Sequence, residues 1–326
     1  MVEPLAGERI AGHLVLERPL VQGGVGSVWV AHHEGLNARV AVKMLSSDLV
    51  HDETARARFA REAAAAMQVT SPHVVQILDF GINDDNTPYL VMELLEGTDL
   101  EGLIAERGAL PPTDVLSIVT QIAKGLMRAH EVSVLHRDVK SSNVFLTRAD
   151  GWGDAPYFAK LVDFGMAKQT DKITKQITEQ GTVVGTPQYM SPEQMMGDEL
   201  DARSDLWSLG VVAFEALTGQ RPFRGETLKD FGDAIHKKPL PKPCEINPML
   251  PPAVDAWFAR ACARDLAERF ANARDFAESL DVAINGKKSI QMQSLAPPPP
   301  PPKRIALVLA VAGVLVVIAM IVMLRR

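Results

Sequence analysis

His136-Arg137-Asp138-Val139-Lys140-Ser141-Ser142-Asn143 and, twenty residues beyond Asn143, Asp163-Phe164-Gly165 are the two runs that decide the reading of this chain. Arg137 stands directly beside Asp138 and carries a charge that calls for an anion elsewhere in the fold. Both runs lie where helical spacing has taken over. From Pro112 onward, Leu116, Val119, Ile122, Leu126 and His130 fall on one helix face. The preceding stretch differs: residues 13–21, 27–32, 39–45, 74–80 and 89–94 are β-rich, with Gly, Asn and Asp between them. Residues 52–69 interrupt them with Ala-rich helix formers, Asp52 serving as N-cap and Ser71-Pro72 as the stop. A small β lobe (about 13–95) followed by a larger helical lobe (about 96–281) predicts an α+β domain with a cleft between the lobes.

Two further groups belong to that cleft. Gln22-Gly23-Gly24-Val25-Gly26-Ser27-Val28 lies between strands, and glycines there let backbone N–H groups approach phosphate oxygens that a Cβ would hold off. By itself the run equally suits a Gly-rich hairpin turn. A dinucleotide fold would place a helix next; a strand follows instead, so an oxidoreductase of that kind is excluded. Val40-Ala41-Val42-Lys43 sets a lysine on a strand. Nineteen residues later Glu62 lies in the Ala-rich helix, whose packed side is marked by Phe59, Ala63 and Ala66. A glutamate on that side needs a cation, because burying an unpaired charge is costly, and Lys43 is the economical partner.

With Gly185-Thr186-Pro187-Gln188-Tyr189-Met190-Ser191-Pro192-Glu193 and Asp205-Leu206-Trp207-Ser208-Leu209-Gly210 added in order, the chain resembles the eukaryotic-type protein kinases, specifically their bacterial Ser/Thr branch. The resemblance covers about 270 residues. It implies a two-lobed kinase fold that binds ATP with Mg2+, Mn2+ being the alternative ion, and phosphorylates Ser or Thr hydroxyls of proteins. By resemblance, Lys43 grips the α- and β-phosphates and pairs with Glu62, Asn143 and Asp163 hold the metal, Asp138 orients the acceptor hydroxyl, and Lys140 lies against the γ-phosphoryl. Gly23, Gly24 and Gly26 form the phosphate loop. Val28 and Ala41 roof the adenine, Phe145 floors it, Met92 is the gatekeeper, and the backbone of Glu93 and Leu95 meets the adenine edge. Thr186 shapes the site by bonding Asp138 and Lys140, Glu193 pairs with Arg269, Asp205 caps the catalytic loop, and Arg137 receives a phosphate on the activation segment. Spacing from Gly185 favours Thr178, then Thr182, over Thr170 and Thr174 as the autophosphorylated hydroxyl.

The pattern departs from the family in places. Val21 stands where the first loop glycine belongs, which predicts a stiffer loop or weaker nucleotide binding. That position is the sole support for the competing reading of a catalytically weak kinase-like scaffold. Ser141 replaces a usual proline and Ser191 a usual alanine. Residues 148–156 lengthen the stretch before Asp163 and predict an exposed hairpin extension in which Trp152 packs locally.

Outside the catalytic zone, residues 1–12 read as a short leader; they are acidic without an apolar core, so no secretory signal is expected. Residues 282–304 form a basic, Pro-rich linker with Lys287, Lys288, Lys303 and Arg304 and six prolines at 297–302, a stiff polyproline spacer. Residues 305–324 carry no charge, polar side chain or proline. Twenty residues at about 1.5 Å rise span roughly 30 Å, which predicts a transmembrane helix before a two-residue tail at 325–326. Bases flanking the span place the catalytic side in the cytoplasm of a single-pass inner-membrane protein, with the bilayer as a partner. Ala306 and Ala310 form a small-xxx-small pair that points to helix association and a homodimer. A net charge of −6 argues against nucleic-acid binding. Two cysteines, Cys244 and Cys262, exclude a disulfide framework.

Overall fold

A computed structural model of the chain describes residues 4–23, 26–46, 48–148, 156–164 and 187–286. The expectations for Gly24, Gly165, Trp152, Thr178, Thr182, Thr186, the linker beyond residue 286 and the apolar segment 305–324 lie outside these residues, as does the side chain of Glu62, whereas residues 282–285, expected in the linker, belong to a helix. Among the described residues no helix is long and apolar enough to cross a membrane.

The N-terminal lobe is a six-stranded antiparallel sheet built from β1 (Arg9–Ile10), β2 (Leu14–Gly23), β3 (Gly26–His33), β4 (Ala38–Leu45), β5 (Ile77–Ile82) and β6 (Pro88–Glu93), in the order β1-β2-β3-β4-β6-β5. Strand alternation divides β4 between two cores. Val40, Val42 and Met44 bury with Leu14, Trp29 and Val91 on one face. Ala41 and Leu45 bury on the other with Leu90, Met92 and the Phe59 and Ala63 of helix α1 (Glu53–Ala66). Because side chains at alternate positions share a face, Lys43 stands with Ala41 and Leu45 on the side of α1. Asp52 caps α1 as expected, accepting from Thr54 N at 2.8 Å and Ala55 N at 3.2 Å.

Two sequence readings need correction. The leader contributes β1, which pairs with β2 through Arg9↔Val15 and Ile10↔Leu14. The strand expected from residue 74 begins at Ile77, because Val74 instead bridges Leu161 in parallel and Val75 N bonds Leu161 O at 2.9 Å. That segment ties the sheet to the strand leading into Asp163.

The C-terminal lobe is helical. β7 (Thr98–Asp99), α2 (Leu100–Arg107) and α3 (Pro112–Glu131) precede the catalytic loop, and β8 (Val144–Arg148) pairs antiparallel with β9 (Tyr157–Leu161) beyond it. After α4 (Pro192–Met196) comes α5 (Ala202–Thr218), buried at every position from Ser204 to Thr218, which explains its largely apolar composition. Gly219 ends α5 in the left-handed region at φ 69°. Helices α6 (Leu228–His236), α7 (Pro243–Ile246), α8 (Ala253–Ala261) and α9 (Ala273–Asn285) complete the lobe, α9 packing on α3.

Both serine departures acquire a structural reason. Ser191 is the N-cap of α4 in a capping box, accepting from Gln194 N at 3.4 Å while Gln194 Oε1 accepts from Ser191 N at 2.9 Å. The Ser141 hydroxyl donates to the buried Glu215 carboxylate.

Candidate active site

The catalytic loop follows α3 and is held from below by Asp205 in the first turn of α5. One carboxylate oxygen accepts from His136 N at 2.9 Å and from His130 Nε2 at 2.8 Å; the other accepts from Arg137 N at 2.8 Å. Burial pushes the Asp205 carboxyl up, but the His130 hydrogen bond and the charges around it outweigh burial and hold it below the usual carboxylate range. These bonds fix Arg137 at φ 64°, a left-handed conformation costing about 1–2 kcal/mol for an L-residue. Gln194 Nε2 donates to the Arg137 carbonyl at 3.0 Å and closes the turn from the other side, leaving the Arg137 side chain exposed. His136 is fully buried, and desolvation lowers its pKa and keeps the ring neutral. A neutral imidazole has one donor and one acceptor, and both are used: Nε2 donates to Val162 O at 3.1 Å, and Nδ1 accepts from Asp138 N at 3.3 Å.

The turn delivers Asp138 into the cleft. Lys140 Nζ lies 3.0 Å from Asp138 Oδ2, and Asn143 Nδ2 donates to the Asp138 carbonyl at 2.8 Å and to Oδ2 at 3.2 Å. Asn143 O in turn accepts from Val162 N at 2.9 Å, locking the loop to the segment that carries Asp163. Asp163 has φ 56°, tolerated in an aspartate, and its Oδ1 accepts from Lys43 Nζ at 2.8 Å. Phe164 buries beneath α1 with Ala66, Val69 and Val74, and its ring packs on His136 at 4.6 Å between centroids. Lys43, Asp138, Lys140, Asn143 and Asp163 therefore gather at one cleft through contacts that neighbouring segments enforce. The described partner of Lys43 is Asp163; its pairing with Glu62 lies outside the described residues.

Four of the residues expected to surround adenine pack together. Ala41, Met92, Val28 and Leu95 belong to one apolar cluster, in which Ala41 sits opposite Met92 and Val28 opposite Lys43. Phe145 is half-buried on β8 opposite Lys160. Gly23 stands opposite Gly26 where β2 pairs with β3, and a Cβ on Gly26 would lie 2.1 Å from Met44 O, so no other residue fits there. Val21 extends β2 opposite Val28 and is 62% exposed.

Sequence reasoning missed two residues here. Val162 packs against the same apolar cluster immediately before Asp163. Lys160 Nζ lies 2.5 Å from Glu93 Oε1, which also accepts from Gln76 N at 2.7 Å. The alternation of β9 sets Lys160 on the face opposite the buried Ala159 and Leu161, and nothing local names its partner.

Glu193 and Arg269 form the expected ion pair. Arg269 forks onto Glu193 at 2.7 and 2.8 Å, with Ser204 Oγ donating to Glu193 at 2.7 Å. Burial raises the Glu193 carboxyl; the Arg269 bond and charge more than offset that and leave it lowered.

This two-lobed arrangement, with a lysine from the sheet and two aspartates and an asparagine from the helical lobe, defines a protein kinase. A family model described as the protein kinase domain matches residues 14–273, and the chain belongs to that family. It is 39% identical over 270 residues to the serine/threonine-protein kinase PknH of Mycobacterium tuberculosis, covering 83% of this chain and 42% of that protein. It is 37% identical over 282 residues to the serine/threonine-protein kinase Pkn1 of Myxococcus xanthus, covering 86% and 40%. The chain thus spans less than half the length of these curated relatives. Among solved structures, the kinase domain of M. tuberculosis PknI superposes with a TM-score of 0.68 at 29% identity, covering 87% of this chain and all of that one.

Proposed function

We propose that the chain is a membrane-anchored serine/threonine protein kinase that moves the γ-phosphoryl group of ATP to protein hydroxyls. The observation that carries this reading is the convergence of Lys43 on Asp163 and of Lys140 and Asn143 on Asp138 in one cleft. Phosphoryl transfer asks a protein mainly for positioning and charge neutralisation. Lys43 supplies a cation for the phosphates, and Lys140 supplies a second beside the acceptor. Asp138 accepts the hydroxyl hydrogen and aims the oxygen, its carboxylate steered by Asn143 and Lys140.

The donor set fits Mg2+. Asn143 spends its amide N–H on Asp138 and keeps its amide oxygen, and Asp163 gives one oxygen to Lys43. Asn143 and Asp163 would hold the ion, with substrate oxygens and water left to complete its shell, as Mg2+ commonly requires. Such an ion would neutralise phosphate charge. Lys140 two residues after Asp138, and the Ser/Thr kinase names of the relatives, support Ser and Thr as acceptors.

The exposed Arg137 beside Asp138 supports a phosphate-ordered activation segment, with Thr178 or Thr182 as the modified hydroxyl. The uncharged segment 305–324 between Lys303-Arg304 and Arg325-Arg326 supports a single membrane span with the catalytic side in the cytoplasm. The test is transfer from labelled ATP to an acceptor protein, followed by phosphoamino-acid analysis and intact mass. Label on Ser and Thr, absent with Asp138→Asn together with the activation-segment phosphate, is expected. Label on Tyr, or equal transfer by Asp138→Asn, contradicts the reading.

A further inference from the structure

Arg137 sits in the left-handed region immediately before Asp138. Where Asp138 points therefore depends on the two peptide planes that flank Arg137, and both are pinned. The plane before it carries Arg137 N, which donates to Asp205 Oδ1 at 2.8 Å. The plane after it carries the Arg137 carbonyl at one end and Asp138 N at the other. Asp138 N donates to His136 Nδ1 at 3.3 Å, and the carbonyl accepts from Gln194 Nε2 at 3.0 Å. Gln194 thus holds, from outside the catalytic loop, the peptide to which the Asp138 Cα is attached.

The Gln194 amide is engaged at both ends. Its oxygen accepts from Ser191 N at 2.9 Å in the capping box of α4, and its nitrogen serves Arg137. A flipped amide would set N–H against N–H and oxygen against oxygen, so the partners dictate this orientation. The base is firm as well. The adjoining Glu193 is gripped by Arg269 at 2.7 and 2.8 Å and by Ser204 at 2.7 Å, and all three are buried. A left-handed residue carries strain of the same order as one net hydrogen bond, so removing the Gln194 pin admits other orientations of the 137–138 peptide. Each of them turns the Asp138 carboxylate away from its place beside Lys140 and Asn143.

We infer that Gln194 is a positioning residue for phosphoryl transfer, aiming Asp138 through the Arg137 carbonyl. The inference rests on the protein-kinase reading above. Capping α4 and pinning Arg137 use opposite ends of one amide, so substitution can separate a structural role from a positioning one.

The experiment uses the full chain, with steady-state kinetics at varied ATP and melting temperatures for each variant. Gln194→Glu keeps an oxygen for Ser191 N, the acidic form of a capping box, but offers the Arg137 carbonyl no donor. Its melting temperature and KM for ATP should stay near wild type while kcat falls about tenfold, less than the roughly hundredfold loss that a 1 Å misplacement brings. Gln194→Met lacks both ends and adds no charge beside Arg137; it should show the same fall in kcat with a lower melting temperature. Ser191→Ala removes the hydroxyl from the cap and leaves the Gln194 bridge, so it should lower the melting temperature and keep kcat. An unchanged kcat in both Gln194 variants, or a kcat that follows melting temperature across all three, would overturn the positioning role and leave the kinase reading intact. A folded wild type that transfers nothing would overturn both.

Discussion

The Lys43 ammonium donates to Asp163 Oδ1 at 2.8 Å, although the two residues stand 120 positions apart in the chain. One comes from β4 of the sheet lobe, and the other follows β9 of the helical lobe. At an effective dielectric near 20, unit charges about 4 Å apart interact by about 4 kcal/mol. A triphosphate with its metal offers each partner an opposite charge of its own, so binding redistributes this pair without stranding either charge.

Lys160 holds Glu93 at the end of β6, and Glu93 also binds Gln76 N. On the proposed function Lys160 would act through the backbone expected to meet adenine, without touching the phosphates. Lys160→Met should raise KM for ATP about fivefold with kcat nearly unchanged, and Lys160→Arg should restore most of the loss. Steady-state kinetics at varied ATP check this; an equal fall in kcat would assign Lys160 a different role.

The Glu193–Arg269 pair joins α4 to the segment before α9, and the Arg269 side chain is fully buried. Removing one partner strands a buried charge, so Glu193→Ala should cost about 3–5 kcal/mol in denaturant titration. The folded-state carboxyl is lowered. Its contribution is therefore complete above the unfolded value of about 4.3 and declines as pH falls through the lower folded value. In Arg269→Met the loss on acidification over that range should shrink.

His73 also loses stability on acidification, over a higher pH range. It is buried, stacks on Phe158, and bonds the Ala159 carbonyl at 3.0 Å. Burial, against that backbone bond, pushes its pKa down from 6.5 to about 4. Below pH about 6.5 the unfolded chain takes up a proton that the folded chain refuses, so stability falls towards pH about 4, by about 3 kcal/mol in all. Unfolding measured across this range should show a shallower slope in His73→Gln than in wild type.

Ser191 tests the reading of its departure from the family pattern. Ser191→Ala removes the side-chain half of the α4 capping box and should cost about 1 kcal/mol by thermal or chemical unfolding. A neutral or stabilising effect would mean that the hydroxyl contributes nothing where alanine is usual.

Much of this was legible in the residues because periodicity and spacing carry it. The alternation in Val40-Ala41-Val42-Lys43 decides which way Lys43 points, and the packed side of α1 follows from Phe59, Ala63 and Ala66. Asp138, Asn143 and Asp163 came from ordered motifs. What escaped depends on partners distant in sequence. Lys160 and Glu93 are 67 residues apart, Ser141 and Glu215 are 74 apart, and no local pattern pairs them. The leader is short and polar, yet backbone pairing to β2 needs no apolar run, and Ile10 anchors it in the core with Ala11 packed alongside. Residues 74–76 looked like strand for their β-branched content but are drawn away by Leu161.

The most direct measurement is phosphoryl transfer from γ-labelled ATP with Mg2+, comparing the full chain with Lys43→Met and Asp163→Asn under identical conditions. Transfer by the wild type, with each substitution lowering kcat/KM about a hundredfold to a thousandfold while the protein stays folded, is the predicted result. A folded wild type that transfers nothing, or folded variants that match it, would contradict the convergence of these two side chains on one nucleotide.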